Sequence, residues 1–390
     1  MMDSMALNRR EFLRSAAVAP VAAKHLWSHP HEKAKRRLLF VGTRTDKTSK
    51  GIYAYRWDPE QGELTSLGLA VESQEPTFLT VHPNGEFLYA ANELDEFEGA
   101  KSGAVSAFRI DREQARLHPI NQIASEGTET CNVNVSHTGY AAFCANYASG
   151  SMSSFFLNPS GALSAPVSHF QYHGHGPNPE RQAGPHAHRV TPSPDDRFLL
   201  VNDLGLDRIH IYRLDAANAK LTPNDPPHWE AFAGSGPRAL HFHPNGHVAY
   251  VVFEMGSAVQ ALHWDKEKGT LHALQDPIHL TPPTYHEIST GCDMVLDHKA
   301  RFAYVINRFY NRIITFSVDH DGKLTLLHRS SCGGEVPRHL ALDPTGRWLL
   351  LANQKSDNIA VFEIHPETGV VSDKPAKSYP ISIPQCLLFV

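Results

Sequence analysis

Val81 to Asn92 read VHPNGEFLYAAN: an extended segment, a Pro-Asn-Gly turn and a second, more apolar extended segment. The phrase returns in altered form as VSHTGYAAFCAN (135–146), PSPDDRFLLVND (192–203), FHPNGHVAYVVF (242–253), LDHKARFAYVIN (296–307) and LDPTGRWLLLAN (342–353). Taking Gly85, Gly139, Asp196, Gly246, Ala300 and Gly346 as matched turn residues gives a mean spacing of about 52 residues, in the range of solenoids and propellers. A second phrase follows each hairpin, an alternating strand and a turn running into Gly-x-Leu or a close relative. GIYAYRWDPEQGEL (51–64) and NRIITFSVDHDGKL (311–324) are two of its seven copies.

Period-2 patterning makes these segments strands, and no stretch sustains the 3.6-residue apolar period of a helix over ten residues. Repeated four-strand units leave only short edges when they close into a ring. The expected fold is therefore all-β: a seven-bladed propeller of four-stranded antiparallel blades. RRLLFVGT (36–43) supplies an extra inner strand, and CLLFV (386–390) shares its blade to close the ring.

Composition agrees with many tight turns, with 27 prolines and 26 glycines. A net charge of -5 and 20% charged residues offer no basic stripe for a phosphate backbone, so nucleic acid is excluded as a partner. No run of 18 apolar residues exists, which excludes a membrane-spanning helix. The five cysteines are scattered without CxxC spacing and read as packed thiols. ALNRREFLRSAAVAPVAAKHLW (6–27), with Arg9 and Arg10 ahead of Phe12 and Leu13, resembles a twin-arginine export signal. We expect residues 1–35 to be signal and linker, the twin-arginine export machinery to be a partner, and the mature chain to be periplasmic or secreted. Residues 36–390 form the propeller, expected to be a monomer.

In a propeller, equivalent positions of successive blades surround one axis, so sequence columns become rings in space. Six residues before the turn the column is apolar: Leu79, Val133, Val190, Leu240, Met294 and Leu340. Eight before it, at the open end of the strand, stand Thr77, Cys131, His188, Arg238, Cys292 and Arg338. Eight after it stand Glu93, Tyr147, Leu204, Glu254, Arg308 and Gln354. Both columns crowd one rim, and a cluster rich in both signs of charge there is more easily explained by an anionic or polar ligand than by stability. With two-residue hairpin loops, residues summing to 391 pair across one blade, setting His188 opposite Asp203, and those summing to 491 set Arg238 opposite Phe253 and beside Glu254.

NPERQAGPHAHRV (178–190), GSGPRALHFHPNGHVAYVVFE (234–254) and PRHLALDPTGRWLLLANQKSDNIAVF (337–362) resemble the seven-bladed propeller lactonases, which include 6-phosphogluconolactonases and carboxymuconate-cyclizing enzymes. The resemblance spans about residues 36–390. It implies a catalytic set of His188 or His186, Arg238, Glu254 and Arg308, His186 otherwise contacting substrate, and by motif adds Asp293 as a substrate contact; the rim columns and the hairpin pairing add Arg338, Glu93 and Asp203. Two departures stand out: the usual GPRH reads GPRA, with Ala239, and Asp293 occupies a position commonly held by Glu. The implied reaction is hydrolysis of a sugar-acid lactone. Arg238 polarises the carbonyl, Arg308 and Arg338 hold an anionic group, and His188 or Glu254 activates water with Asp203 orienting the imidazole. A small-molecule lactone or sugar acid is the expected ligand. A lactonising cycloisomerase would use the same rim in reverse, and a non-catalytic propeller would only bind there. No cofactor is demanded. His173, His175, His186 and His188 could chelate, but no carboxylate or thiol at a fixed offset completes a metal site.

Overall fold

The computed structural model describes residues 37–390, so the expected export signal lies outside the described residues. Those residues form seven antiparallel sheets, each with a path of four strands, and one carries an extra short strand, Ile278–His279, beside Ala258–Asp265. The termini share a blade as expected, but Pro384–Phe389 takes the edge that faces the neighbouring inner strands and Arg37–Thr43 lies next to it, with Val41 opposite Leu387.

All six matched turn residues adopt left-handed backbone, from φ 50° at Ala300 to 79° at Gly139. Four of the six are glycine, which reaches this region without a Cβ penalty. The loops hold four residues and not two, because Ser193 N–H donates to Phe198 O at 2.8 Å and His82 N–H to Phe87 O at 2.9 Å. The register constant survives this change, since Val190 still pairs with Val201 and Leu240 with Val251.

At the far end of the hairpin the register breaks. Ala187 pairs with Asp203 and Arg189 with Asn202, so His188 is an extra, unpaired residue. Thr77, Cys131, Arg238 and Arg338 are skipped in the same way, and Gln385 is skipped in the closing blade. In the remaining blade the break spans Cys292 and Asp293. The rim column is thus a ring of β-bulges. A bulge kinks its strand and re-aims the side chain, which explains how charged residues share a sequence parity with the aliphatic column two positions on without entering the blade interior. The expected pairings of His188 with Asp203 and of Arg238 with Phe253 are corrected accordingly: Ala187 and Pro237 occupy those places.

Apolar layers between neighbouring blades hold the ring. Ala239, Tyr250 and Val252 of one blade, for example, pack against Met294, Val305 and Ile314 of the next. The closing blade is pinned by Trp57, edge-on to Trp348 at 6.2 Å, while the Trp348 indole N–H donates to Pro59 O at 2.8 Å. Satisfying the indole proton lets so large a ring be buried without an orphaned donor. All five cysteines are buried free thiols.

Candidate active site

The bulges and the strands returning beside them line a cavity of about 190 Å³ bounded by Glu93, Glu129, Cys131, Tyr147, Arg181, His188, Glu254, Arg308 and Arg338. Seven of these come from the two rim columns. At its centre Glu254 is ion-paired with three arginines: Arg308 Nη2 lies 2.6 Å and Arg238 Nε 3.0 Å from Oε2, while Arg181 Nη2 donates a hydrogen bond to Oε1 at 2.6 Å. Burial alone would raise this carboxyl, but Arg308 and Arg238 outweigh it and hold Glu254 well below the usual carboxylate range. A carboxylate so stabilised is a poor proton acceptor. It is a fixed anchor for guanidinium groups.

His188 contrasts with it. The residue is 8% exposed, and its imidazole stands edge-on to Tyr147 with ring centroids 5.7 Å apart and makes no ring-nitrogen hydrogen bond among the described residues. Burial, followed by the charges of Arg238 and Arg338, holds its pKa well below the ordinary value, so the ring is neutral near pH 7 with a free lone pair. Arg338 lines the cavity without a carboxylate partner or side-chain hydrogen bond among the described residues. Burial, then the neighbouring Arg238, pulls its guanidinium below its usual pKa.

Arg238 is not among the lining residues. It is 4% exposed, with Nη1 donating to Cys292 O and Nε against Glu254, so it lies beneath the cavity as a support. Glu93 lines the wall and is paired with Arg44. His186 stacks on Tyr147 at 4.5 Å, with its Nδ1 3.0 Å from Tyr147 O.

Three expected substrate contacts lie outside the cavity lining: His186, stacked on Tyr147, and Asp203 and Asp293. Asp203 is fully buried. Its Oδ1 accepts the N–H groups of His186 at 2.8 Å, Gly205 at 3.0 Å and Leu206 at 3.1 Å, and Oδ2 lies 3.3 Å from His210 Nε2. It fixes the loop ahead of His188 and does not touch the imidazole, because the bulge moves His188 out of register. Asp293 lies outside the cavity lining. It joins Arg189, 3.0 Å from Nη1, and His241, 2.8 Å from Nε2, in a separate buried network. Ala239, in place of the family's usual histidine, is fully buried in an interblade layer.

The residues missed by column reasoning are Glu129 and Arg181. Arg181 belongs to the long connection between strands Leu163–Gln171 and Ala187–Pro192, outside the repeat. An Asn178 turn shapes that segment, with Oδ1 accepting from Glu180 and Arg181 N–H at 3.0 Å. Gln182, fully buried, ties it to Leu204 O at 2.9 Å and Asp207 Oδ1 at 2.8 Å. The NPERQ phrase was its only signal in the sequence.

Residues 38–389 match the family model described as lactonase, 7-bladed beta-propeller. A 6-phosphogluconolactonase of Bacillus subtilis is 31% identical over 353 residues, covering 90% of this chain and 97% of the relative. Another protein named 6-phosphogluconolactonase, from Formosa agariphila, is 30% identical over 86% of this chain and 95% of its own. Among solved structures, a periplasmic gluconolactonase of Pseudomonas aeruginosa superposes with a TM-score of 0.85 at 32% identity, over 91% of this chain and 99% of that one. With the ring of seven blades and near-complete coverage in both directions, the chain belongs to the seven-bladed β-propeller lactonase family.

Proposed function

We propose that the protein hydrolyses a sugar-acid lactone at this rim cavity. The observation that carries the reading is the pairing of two unengaged groups of complementary kind, the His188 imidazole and the Arg338 guanidinium, over a floor fixed by Glu254 and its arginines. A lactone carbonyl set against Arg338 is polarised as its oxygen gains charge. A water between the carbonyl carbon and His188 gives up its proton to the neutral imidazole. Arg308 borders the same space and meets the carboxylate as it forms, while Arg238 acts from below by holding Glu254. Strained cyclic esters need neither a covalent nucleophile nor a metal for this step. One well-placed base supplies roughly 10² to 10⁴ in rate, and a fixed cation at the oxyanion adds a comparable factor.

The twin-arginine-like sequence of residues 6–27 and the periplasmic relative together support a periplasmic enzyme acting on an unphosphorylated lactone, since sugar phosphates belong to the cytoplasm. Turnover of a lactone panel, with and without a phosphate group, tests this reading. Acceleration confined to neutral lactones is the expected result, and a purified protein that accelerates none would overturn it. Fusing residues 1–35 to a folded reporter, with Arg9 and Arg10 intact or replaced by Lys, tests the export route.

A further inference from the structure

Opening a lactone requires a second proton transfer besides that from the attacking water. When the ring C–O bond breaks, the departing oxygen is an alkoxide, and His188 has just become an imidazolium on the side of the attacking water. A donor on the leaving-group side would avoid releasing a free alkoxide. Tyr147 lines the same cavity, fixed between His186, stacked at 4.5 Å, and His188, edge-on at 5.7 Å. Its phenol oxygen accepts from Arg181 Nη2 at 3.4 Å, and its own proton has no acceptor among the described residues. A phenol with an uncommitted proton beside a guanidinium that can stabilise phenolate is the arrangement proton donation requires.

We propose that Tyr147 is the general acid that protonates the departing ring oxygen, an assignment that rests on the lactonase reading above. Water oxygen bonds to the carbonyl carbon while His188 takes its proton, giving a tetrahedral oxyanion against Arg338. Collapse reforms the carbonyl and breaks the ring C–O bond, whose electron pair stays on oxygen and takes the phenolic proton of Tyr147. The phenolate, held beside Arg181, recovers a proton from the His188 imidazolium, and the product carboxylic acid loses its proton to solvent. One water is consumed and both side chains return to their starting forms.

Burial, the largest influence on the phenol, raises its pKa, with Arg181 acting in the opposite direction. A weak acid of this kind can still protonate an alkoxide, which is far more basic. Glu129 is the competing donor in the cavity, its carboxyl raised by burial and by Glu93. Its nearby charges also include Asp95 and Arg44, whereas those of Tyr147 are Glu254 and Arg181.

The test is a series of lactones whose ring-oxygen leaving groups run from alkoxide to phenolate, assayed with wild type, Tyr147→Phe and Glu129→Gln. Tyr147→Phe keeps the ring and its stacking and removes only the hydroxyl. The expected result is a loss of roughly 10² to 10⁴ in kcat for alkoxide leaving groups and little change for phenolate ones, which need no proton. An equal loss across the series, no loss at all, or the leaving-group dependence arising in Glu129→Gln instead would overturn the assignment. Wild type inactive on every member would overturn the lactonase reading itself, and this inference with it.

Discussion

Arg308 Nη2 stands 2.6 Å from Glu254 Oε2, joining two successive blades through a carboxylate that also receives Arg238 and Arg181. Because Glu254 and Arg238 are buried and Arg308 is only 14% exposed at its side chain, removing the carboxylate strands cationic groups in a medium that solvates charge poorly. The cluster therefore serves geometry before chemistry: it fixes where the guanidinium groups sit around the cavity.

Replacing Glu254 by Gln should expose that dependence. The variant is expected to lose about 3 to 5 kcal/mol of stability, since Arg238 remains buried without its counter-charge. Urea unfolding measures this. A variant as stable as wild type would show that Arg238 finds compensation elsewhere. Lactone turnover should fall as well, through misplaced arginines and not through loss of a base.

The pH dependence separates His188 from Glu254. Activity needs neutral His188, whose pKa lies well below the ordinary value through burial and the charges of Arg238 and Arg338. The acid limb of kcat/KM in wild type should therefore fall well below pH 6.5. Replacing Arg338 by Met removes one of the cations that disfavour the imidazolium, so the limb should move to higher pH while overall kcat/KM drops. A limb that stays in place would mean that Arg338 does not act on the titrating base.

Asp203→Asn tests the loop role found for Asp203. Three N–H groups converge on one of its oxygens, including that of His186. The substitution should loosen the segment that carries Arg181, seen as faster proteolytic nicking between residues 172 and 187 and a lower kcat/KM. The acid limb should not move, because Asp203 does not contact His188. A shifted limb would restore the orienting role that the hairpin register implied.

Stability should decline on acidification in two successive windows. His339 titrates at about 4, lowered by burial, against an ordinary 6.5. The unfolded chain therefore binds a proton that the folded one refuses, and stability present above pH 6.5 is lost as pH falls toward 4, at about 1.4 kcal/mol per unit for one group. Asp293, opposed by burial but held well below its usual range by Arg189 and His241, contributes stability that persists above its unfolded pKa and is lost on further acidification. Unfolding midpoints measured from pH 7 to 2 check both windows, and His339→Gln should make the first shallower without abolishing it, since burial also lowers His188 and His241.

The propeller was legible because it is a repeat. Six turn residues in register bring His188, Arg338, Glu93, Tyr147, Glu254 and Arg308 to one rim from sequence alone, and these six line the cavity. What the columns could not show was the bulge. It is a property of backbone pairing with no single residue type to mark it, and Thr77, Cys131, His188, Arg238, Arg338 and Gln385 have nothing chemical in common. The pairing of His188 with Asp203 failed for that reason. Asp293 was misplaced by analogy with a motif, whereas its short side chain is held by Arg189 and His241. Arg181 escaped because it lies on a connection that occurs once and has no column to belong to.

His188 as the base is tested most directly by acid release from a neutral six-membered sugar lactone, followed by pH-stat at pH 7 with wild type and His188→Gln. We expect wild type to exceed spontaneous hydrolysis clearly and the variant, folded and of similar stability, to lose roughly 10² to 10⁴ of that acceleration. A His188→Gln enzyme that opens the lactone as fast as wild type would contradict it.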